Sequence, residues 1–159
     1  MTEALGTEFV PLQLPAAPLQ FKRNAQGQTL VFDRLRRRWI RLTPEEWVRQ
    51  HFVHFLIAGR GFPPALLANE VGIDIGGSMR RCDTVLFDRN EARPRVIVEY
   101  KAPQVAITEP VFRQIESYNA VLKADWLIVS NGLQHFVCRI DYATRSSRFV
   151  PDIPQFADL

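Results

Sequence analysis

Cysteine is scarce in this sequence, and long apolar runs are absent. The two cysteines, Cys82 and Cys138, have no cysteine or histidine at metal-ligand spacing, so a zinc site is not expected and a disulfide is not required. The longest mainly apolar runs, residues 53–58 and 126–129, fall far short of the roughly 20 residues that span a bilayer. The N-terminus has no basic segment followed by an apolar one, so we expect no secretory signal, no membrane contact and a cytoplasmic location.

An extreme composition is also absent. With 47% hydrophobic and 23% charged residues, the chain has an ordinary globular balance, which argues against disordered, collagenous and coiled-coil classes. Its 159 residues suit one domain. The formal charge of +3 permits contact with nucleic acid without demonstrating it. The P-loop pattern G-x-x-x-x-G-K-[ST] is missing, so the sequence shows no helicase motor of that kind.

Proline is frequent near the N-terminus and predicts how the chain is organised. Pro11, Pro15 and Pro18 stand among apolar residues, a pattern that favours an extended segment over a helix. We therefore predict an extended arm over residues 1–28, packed on a domain formed by residues 29–159.

Local patterns predict two helices and seven strands in that domain. Thr43, Pro44 and Glu46 indicate a helix start with a capping box, and the helix should end near residues 59–61. Thr108 is the predicted cap of a second helix. From the first helix onward the order is helix, three strands, helix, two strands, which favours an α/β fold with a mixed central sheet flanked by helices. The strands are predicted at residues 29–32, 39–42, 70–75, 82–88, 95–101, 125–130 and 133–140.

Three charged residues interrupt strands that otherwise read as buried. Glu99 and Lys101 share one face of a strand, and a hairpin centred near Glu91 sets Asp83 opposite Glu99, about 5 Å away at Cβ. Two carboxylates so close repel unless a cation lies between them, and their hard oxygens suit Mg²⁺ or Mn²⁺. A lysine beside a metal-bound water is what phosphodiester cleavage needs. From these residues alone, a Glu99–Lys101 ion pair with Asp83 solvated at a strand end is the alternative.

The wider sequence resembles a known family. The segments "LTPEEWVRQ", "RCDTVLFD", "IVEYKAP", "QIESYN" and "IVSNG" together resemble the N-terminal nuclease domain of type I restriction enzyme R subunits, over residues 32–154. Asp83 followed by Glu99 and Lys101 resembles the PD-(D/E)XK nuclease signature, although Cys82 stands where that signature has proline. The resemblance implies a restriction-endonuclease-like core and a Mg²⁺-dependent (or Mn²⁺-dependent) endonuclease that hydrolyses DNA.

The same resemblance implies a set of site residues. Asp83, Glu99 and the main-chain carbonyl of Tyr100 are the implied metal ligands, and Lys101 is the implied catalytic lysine. Glu70 is the implied additional acid, which binds through water or a second ion.

Gln114 and Tyr118 fit the Q-x-x-x-Y element of such R subunits, which supports the nuclease site and contacts DNA. Their spacing of four places them on one helical face, although the core stripe of the helix accounts for Tyr118 equally well.

Arginines supply the predicted phosphate contacts. Arg80 and Arg81 precede Asp83, near the expected position of a scissile phosphate. A second cluster also suits backbone phosphates, or else discourages edge-to-edge aggregation of a strand. Its members are Arg34, Arg36, Arg37, Arg38 and Arg41.

Two other functions remain open from the sequence. One is a catalytically silent module that binds nucleic acid or a protein partner on the same fold, and the other is a structural or regulatory subunit. The expected partners are DNA and a motor or specificity subunit, and a dimer is compatible with the sequence.

Overall fold

The computed structural model describes residues 9–159, which form two sheets and two long helices. Residues 1–8, the first part of the predicted arm, lie outside the described residues. The helices are α1 (Pro44–Arg60) and α2 (Glu109–Leu122). The strands are β1 (Phe21–Arg23), β2 (Thr29–Asp33), β3 (Arg38–Arg41), β4 (Leu67–Ile75), β5 (Ser78–Phe87), β6 (Pro94–Tyr100), β7 (Trp126–Ser130), β8 (His135–Asp141) and β9 (Ser146–Val150). In this part of the chain, no helix is long and apolar enough to cross a membrane.

The larger sheet is mixed and has a helix on each face. Its strand order is β4-β5-β6-β7-β8-β9, and every neighbouring pair is antiparallel except β6 and β7. Parallel neighbours need a crossover, which α2 provides. On one face Val98 and Ile128 pack in a cluster with Phe52 of α1, and on the other Ile97 packs in a cluster with Ile115 of α2. The predicted α/β fold with a mixed sheet flanked by helices is confirmed.

The ends of the helices match the sequence pattern only in part. Thr43 Oγ1 accepts a hydrogen bond from the Glu46 N–H at 3.1 Å, and Gly61 ends α1 with a φ of 75°. The reciprocal half of the predicted capping box does not form, because the Glu46 carboxylate accepts from Arg36 and Gln50 instead. Thr108 stands at the N-cap position of α2, but its side chain makes no capping hydrogen bond.

Two strands were not predicted, and the first three strands form a separate sheet. β9 reads Ser-Ser-Arg-Phe-Val and is exposed at four of its five positions, so it lacks the apolar alternation that marks a strand. The chain therefore has three strands after α2, where two were predicted.

β1 lies inside the predicted arm and pairs with β2, which pairs with β3. A turn at Gly76 and Gly77 extends β4 and β5 into a long hairpin.

The described part of the arm lies against the domain. The Phe9 ring packs on Trp47 with centroids 5.8 Å apart, and Trp47 Nε1 donates to the Val10 carbonyl at 2.9 Å. Further along, the Gln13 N–H donates to the Gly132 carbonyl at 2.8 Å.

Candidate functional site

Strands β5 and β6 bring the predicted acidic pair together. Thr84 lies opposite Val98, so Asp83 and Glu99 occupy the next position of the ladder. The main-chain ladder ends there, because Asp83 Oδ2 accepts the Tyr100 N–H at 2.8 Å. The predicted hairpin register, with Asp83 beside Glu99, is confirmed.

Glu99 is buried without enough compensation for a negative charge. Its side chain is 5% exposed, and its Oε2 atom has no hydrogen-bond partner. Burial, followed by the charge of Asp83, raises the pKa of Glu99 to about 9. Burial also raises the pKa of Asp83, although the Arg49 charge and the Tyr100 N–H act in the opposite direction. The pair therefore has the properties of an incomplete cation site, and its hard oxygen donors fit Mg²⁺ or Mn²⁺.

Lys101 joins this pair to helix α2. Its Nζ lies 3.7 Å from Glu99 Oε1 and donates to Gln114 Oε1 at 3.1 Å. Gln114 Nε2 in turn donates to the Tyr118 hydroxyl at 2.9 Å. The five residues predicted as catalytic thus lie in one connected cluster, which we call the acid–lysine cluster. Tyr118 also packs in the core below α2, so both of its predicted roles are compatible with its position.

Arg49 of α1 is the residue that the sequence interpretation missed. Its guanidinium reaches Glu70 Oε1 at 2.6 Å, Glu46 Oε2 at 3.3 Å and Asp83 Oδ1 at 3.6 Å. Burial acts to lower the pKa of Arg49, but these carboxylates outweigh it and raise the pKa. The available signal was three consecutive polar residues, Arg49 to His51, inside an apolar helix, all of them buried in the fold.

Glu70 lies beside the acidic pair but is bound by arginines. It falls between Asn69 and Val71, which pair with Thr84 and Cys82, so it stands level with Asp83. Its φ of 58° is strained for a residue other than glycine, and such strain concentrates at functional sites. Its carboxylate binds Arg49 and lies 3.7 Å from Arg81. Accordingly, no three His, Cys, Asp or Glu side chains of residues 9–159 are arranged to hold a metal ion.

The four predicted phosphate-binding arginines lie in four different environments. Arg81 is exposed near Glu70, whereas Arg80, its neighbour in the strand, lies opposite Ile73 and projects to the other side. Arg36 is 14% exposed and binds Asp33 and Glu46, which disfavours a phosphate contact. Arg38 is exposed on β3, within the smaller sheet.

A buried polar network holds the strands at the site from the other face. The Tyr100 hydroxyl donates to Thr84 Oγ1 at 2.9 Å, and Thr84 donates to Asn69 Oδ1 at 2.7 Å. Asn69 Nδ2 then donates to Asp33 Oδ2 at 3.0 Å. Burial raises the pKa of Tyr100, so its hydroxyl stays a neutral donor. Because every link spans different strands, the network fixes the backbone positions of β4, β5 and β6 below the acids.

Replacing Glu99 by glutamine is expected to stabilise the metal-free protein near neutral pH by roughly 1–3 kcal/mol, the usual cost of an uncompensated buried polar group. The pKa of Glu99 in the fold, about 9, exceeds its ordinary 4.5, so its contribution to stability is complete below pH 4.5 and is lost as the pH rises towards 9. The gain from Glu99→Gln should therefore be larger at pH 8.5 than at pH 5. Thermal unfolding in EDTA measures it.

Glu91→Gln is the matched control, because Glu91 is 70% exposed in the β5–β6 loop and should change stability little at either pH. If Glu99→Gln lowers the free energy of unfolding, or raises it equally at both pH values, the conclusion that a negative charge on Glu99 is uncompensated would be wrong.

The family model described as "Type I restriction enzyme R protein N terminus (HSDR_N)" matches residues 44–154, which run from α1 past β9 and include every residue of the acid–lysine cluster. No curated protein matches the chain. The match covers most of the sequence and confirms the resemblance seen in its motifs: the chain belongs to the family of type I restriction enzyme R protein N-terminal domains.

Proposed function

We propose that this domain is a divalent-metal-dependent endonuclease that hydrolyses phosphodiester bonds in DNA. The observation that supports it most is the pairing of Asp83 with Glu99, whose buried Oε2 has no partner, beside the amine of Lys101. A structural domain gains nothing from a buried carboxyl group beside a second, half-buried one, because repulsion between their charges destabilises the fold. Membership of the restriction family supplies the biological setting, in which DNA and a motor or specificity subunit are the proposed partners.

Asp83 and Glu99 would hold the ion, together with the main-chain carbonyl of Tyr100. When bound, Mg²⁺ or Mn²⁺ supplies positive charge to a phosphoryl oxygen and lowers the pKa of a water molecule. Glu70 would join as an acidic residue only after giving up its contact with Arg49.

Lys101 has the position of a catalytic amine. Gln114 donates its amide N–H₂ to Tyr118, so its carbonyl oxygen is turned towards Lys101 Nζ and holds the amine beside Glu99. From there the amine can orient a nucleophilic water and exchange a proton with it. Arg81, exposed next to Glu70, can bind a phosphate oxygen of the substrate strand.

The test is cleavage of supercoiled plasmid and linear duplex with Mg²⁺, with Mn²⁺ and with EDTA, using Asp83→Ala as the inactive control. Nicking or cutting that needs the ion and Asp83 supports the proposal. Cleavage of equal rate in EDTA, or in Asp83→Ala, would show that a contaminant or another site is responsible.

One observation favours a second function, a silent binding module on the same fold. Arg49 already provides a positive charge within 3.6 Å of Asp83, as an internal counter-ion would. In that case calorimetry should give the same Mn²⁺ signal for the wild type and for Glu99→Gln, because no ion binds at Glu99. Specific, Glu99-dependent Mn²⁺ binding would exclude it.

A further inference from the structure

The three-stranded sheet has one face that the core does not use. Opposed residues of antiparallel strands share a face, and the register places Lys22 opposite Leu30, Leu30 opposite Arg41, and Phe32 opposite Trp39. Within residues 9–159, Leu30, Phe32 and Trp39 belong to none of the three core clusters and stay partly exposed. Phe32 also lines a cavity with Val53 and His54 of α1, so we keep the name outer face for Lys22, Leu30, Trp39 and Arg41.

The opposite face of the sheet is already occupied. Val31 is fully buried and clusters with Trp47, whose ring stacks on Phe21 with centroids 6.4 Å apart. The sheet is therefore fixed on α1 by its inner face, and its outer face cannot turn inwards.

The segment that carries the outer face is also the most basic part of the described chain. Residues 9–42 carry seven lysines and arginines and a single acid, Asp33, which is buried and bound to Arg36, whereas residues 43–159 carry 13 basic and 14 acidic residues. No carboxylate of the described residues forms an ion pair with Lys22 or Arg41. Lys22 Nζ instead lies 4.4 Å from the centre of the Trp39 ring.

We infer that the outer face binds single-stranded nucleic acid, with a base stacked on Trp39 and phosphates held by Lys22 and Arg41. Aromatic side chains framed by cations are the usual platform for single strands, because every base has a face that can stack. Lys22 and Arg41 are two strand spacings apart, about 10 Å, in the cross-strand row next to the Phe32–Trp39 pair, so both can hold phosphates beside a base stacked on Trp39. In a duplex the base faces are covered, so Trp39 would have nothing to stack on.

Relative strengths explain why Lys22 would give way to a base. A cation over an exposed aromatic ring strengthens an equilibrium by roughly 2- to 5-fold, whereas stacking of one base contributes roughly 5- to 150-fold. When Lys22 moves from the Trp39 ring to a phosphate, one weak cation–ring contact is therefore replaced by a base stacked on the ring and an ion pair with the phosphate.

The outer face is independent of the proposed cleavage. β1–β3 precede residue 44, where the family match begins, and binding can be measured in EDTA, where a metal-dependent site is inactive. A failure here would leave the nuclease proposal untouched, and a failure of cleavage would leave this one untouched.

The experiment is titration of the full chain with a 20-nucleotide oligo(dT) in EDTA, followed by tryptophan fluorescence. Trp47 and Trp126 are 8% and 7% exposed, so the accessible reporter is Trp39. We expect quenching by the single strand, its loss in Trp39→Leu, and at least 10-fold weaker binding of that variant. Lys22→Gln combined with Arg41→Gln should reduce the slope of log K against log salt by about 1.4, at about 0.7 per phosphate contact.

Arg148→Gln is the matched control, since Arg148 is an exposed arginine on β9 of the other sheet and should change neither quenching nor slope. A duplex of the same length should bind without quenching Trp39. The inference is overturned by an absence of binding, by binding without quenching, or by a salt slope that Arg148→Gln changes as much as the outer-face variant does.

Discussion

Cleavage of DNA is expected to slow by about 10²- to 10⁴-fold when Lys101 is replaced by methionine, the range for loss of a positioned proton-transfer group. Methionine keeps the unbranched side chain as far as the ε position but cannot carry charge or donate to Gln114. Mn²⁺ binding should persist, because the proposed ligands Asp83 and Glu99 are unchanged. Steady-state cleavage and calorimetry on the same preparation separate the two effects.

The pH of the binding measurement matters for this variant. Burial raises the pKa of Glu99, and the Lys101 charge partly opposes that rise, so Lys101→Met should raise the pKa further and let protons compete with the ion at neutral pH. Ion binding by the two proteins should therefore be compared over a range of pH, with Mg²⁺ as the ion, and the difference between them should narrow as the pH rises. Asp83→Ala is the comparison, since it should lose both cleavage and ion binding. If Lys101→Met cleaves at the wild-type rate, the amine has no catalytic role.

Arg49→Met is expected to destabilise the metal-free protein by roughly 3–5 kcal/mol, the usual result of removing one member of a buried ion network. The Arg49 side chain is 7% exposed and lies against three carboxylates. Without it, Glu46 and Glu70 would keep only Arg36 and the more distant Arg81, and the Asp83 carboxylate would lose its arginine. Urea unfolding in EDTA measures the loss. Burial raises the pKa of Asp83, so the loss should shrink at acidic pH, where a protonated Asp83 no longer needs the arginine.

Arg113→Met is the control for Arg49→Met. Arg113 binds Glu109 at 2.6 Å, as close as Arg49 binds Glu70, but its side chain is 67% exposed, so its loss should cost under about 1 kcal/mol. If the two substitutions lower the free energy of unfolding equally, burial does not determine how much the Arg49 ion pairs contribute to stability. In the folded Arg49→Met protein, Mn²⁺ should bind more tightly than in wild type, because a positive charge near Asp83 has been removed.

The acid–lysine cluster was predictable because it rests on local geometry. Alternation along β6 puts Glu99 and Lys101 on one face. The equal distances of Asp83 and Glu99 from the centre of the β5–β6 hairpin place them beside each other. A four-residue step in α2 does the same for Gln114 and Tyr118. Each of these relations depends on the chain near the residue itself.

Contacts between distant segments could not be predicted in this way. Arg49 meets Glu70 and Asp83 only because α1 crosses the larger sheet at the point where β4 and β5 carry them. Arg36 looked like a surface arginine within a basic run, but Asp33 and Glu46 draw it into the interior. β9 has no apolar alternation, and it forms a strand because its main chain pairs with β8.

The sequence by itself determined the α/β class, the family, and the identity and register of the acids and the lysine, because side-chain periodicity and hairpin pairing are local properties of the chain. Only the tertiary structure decided how the charges are balanced: Arg49 restrains Glu70 and Asp83, Glu99 is left with an unpartnered oxygen, and a separate sheet places Lys22 over the Trp39 ring. Burial and the proximity of residues far apart in the chain set these energies, and neither is encoded in any single segment.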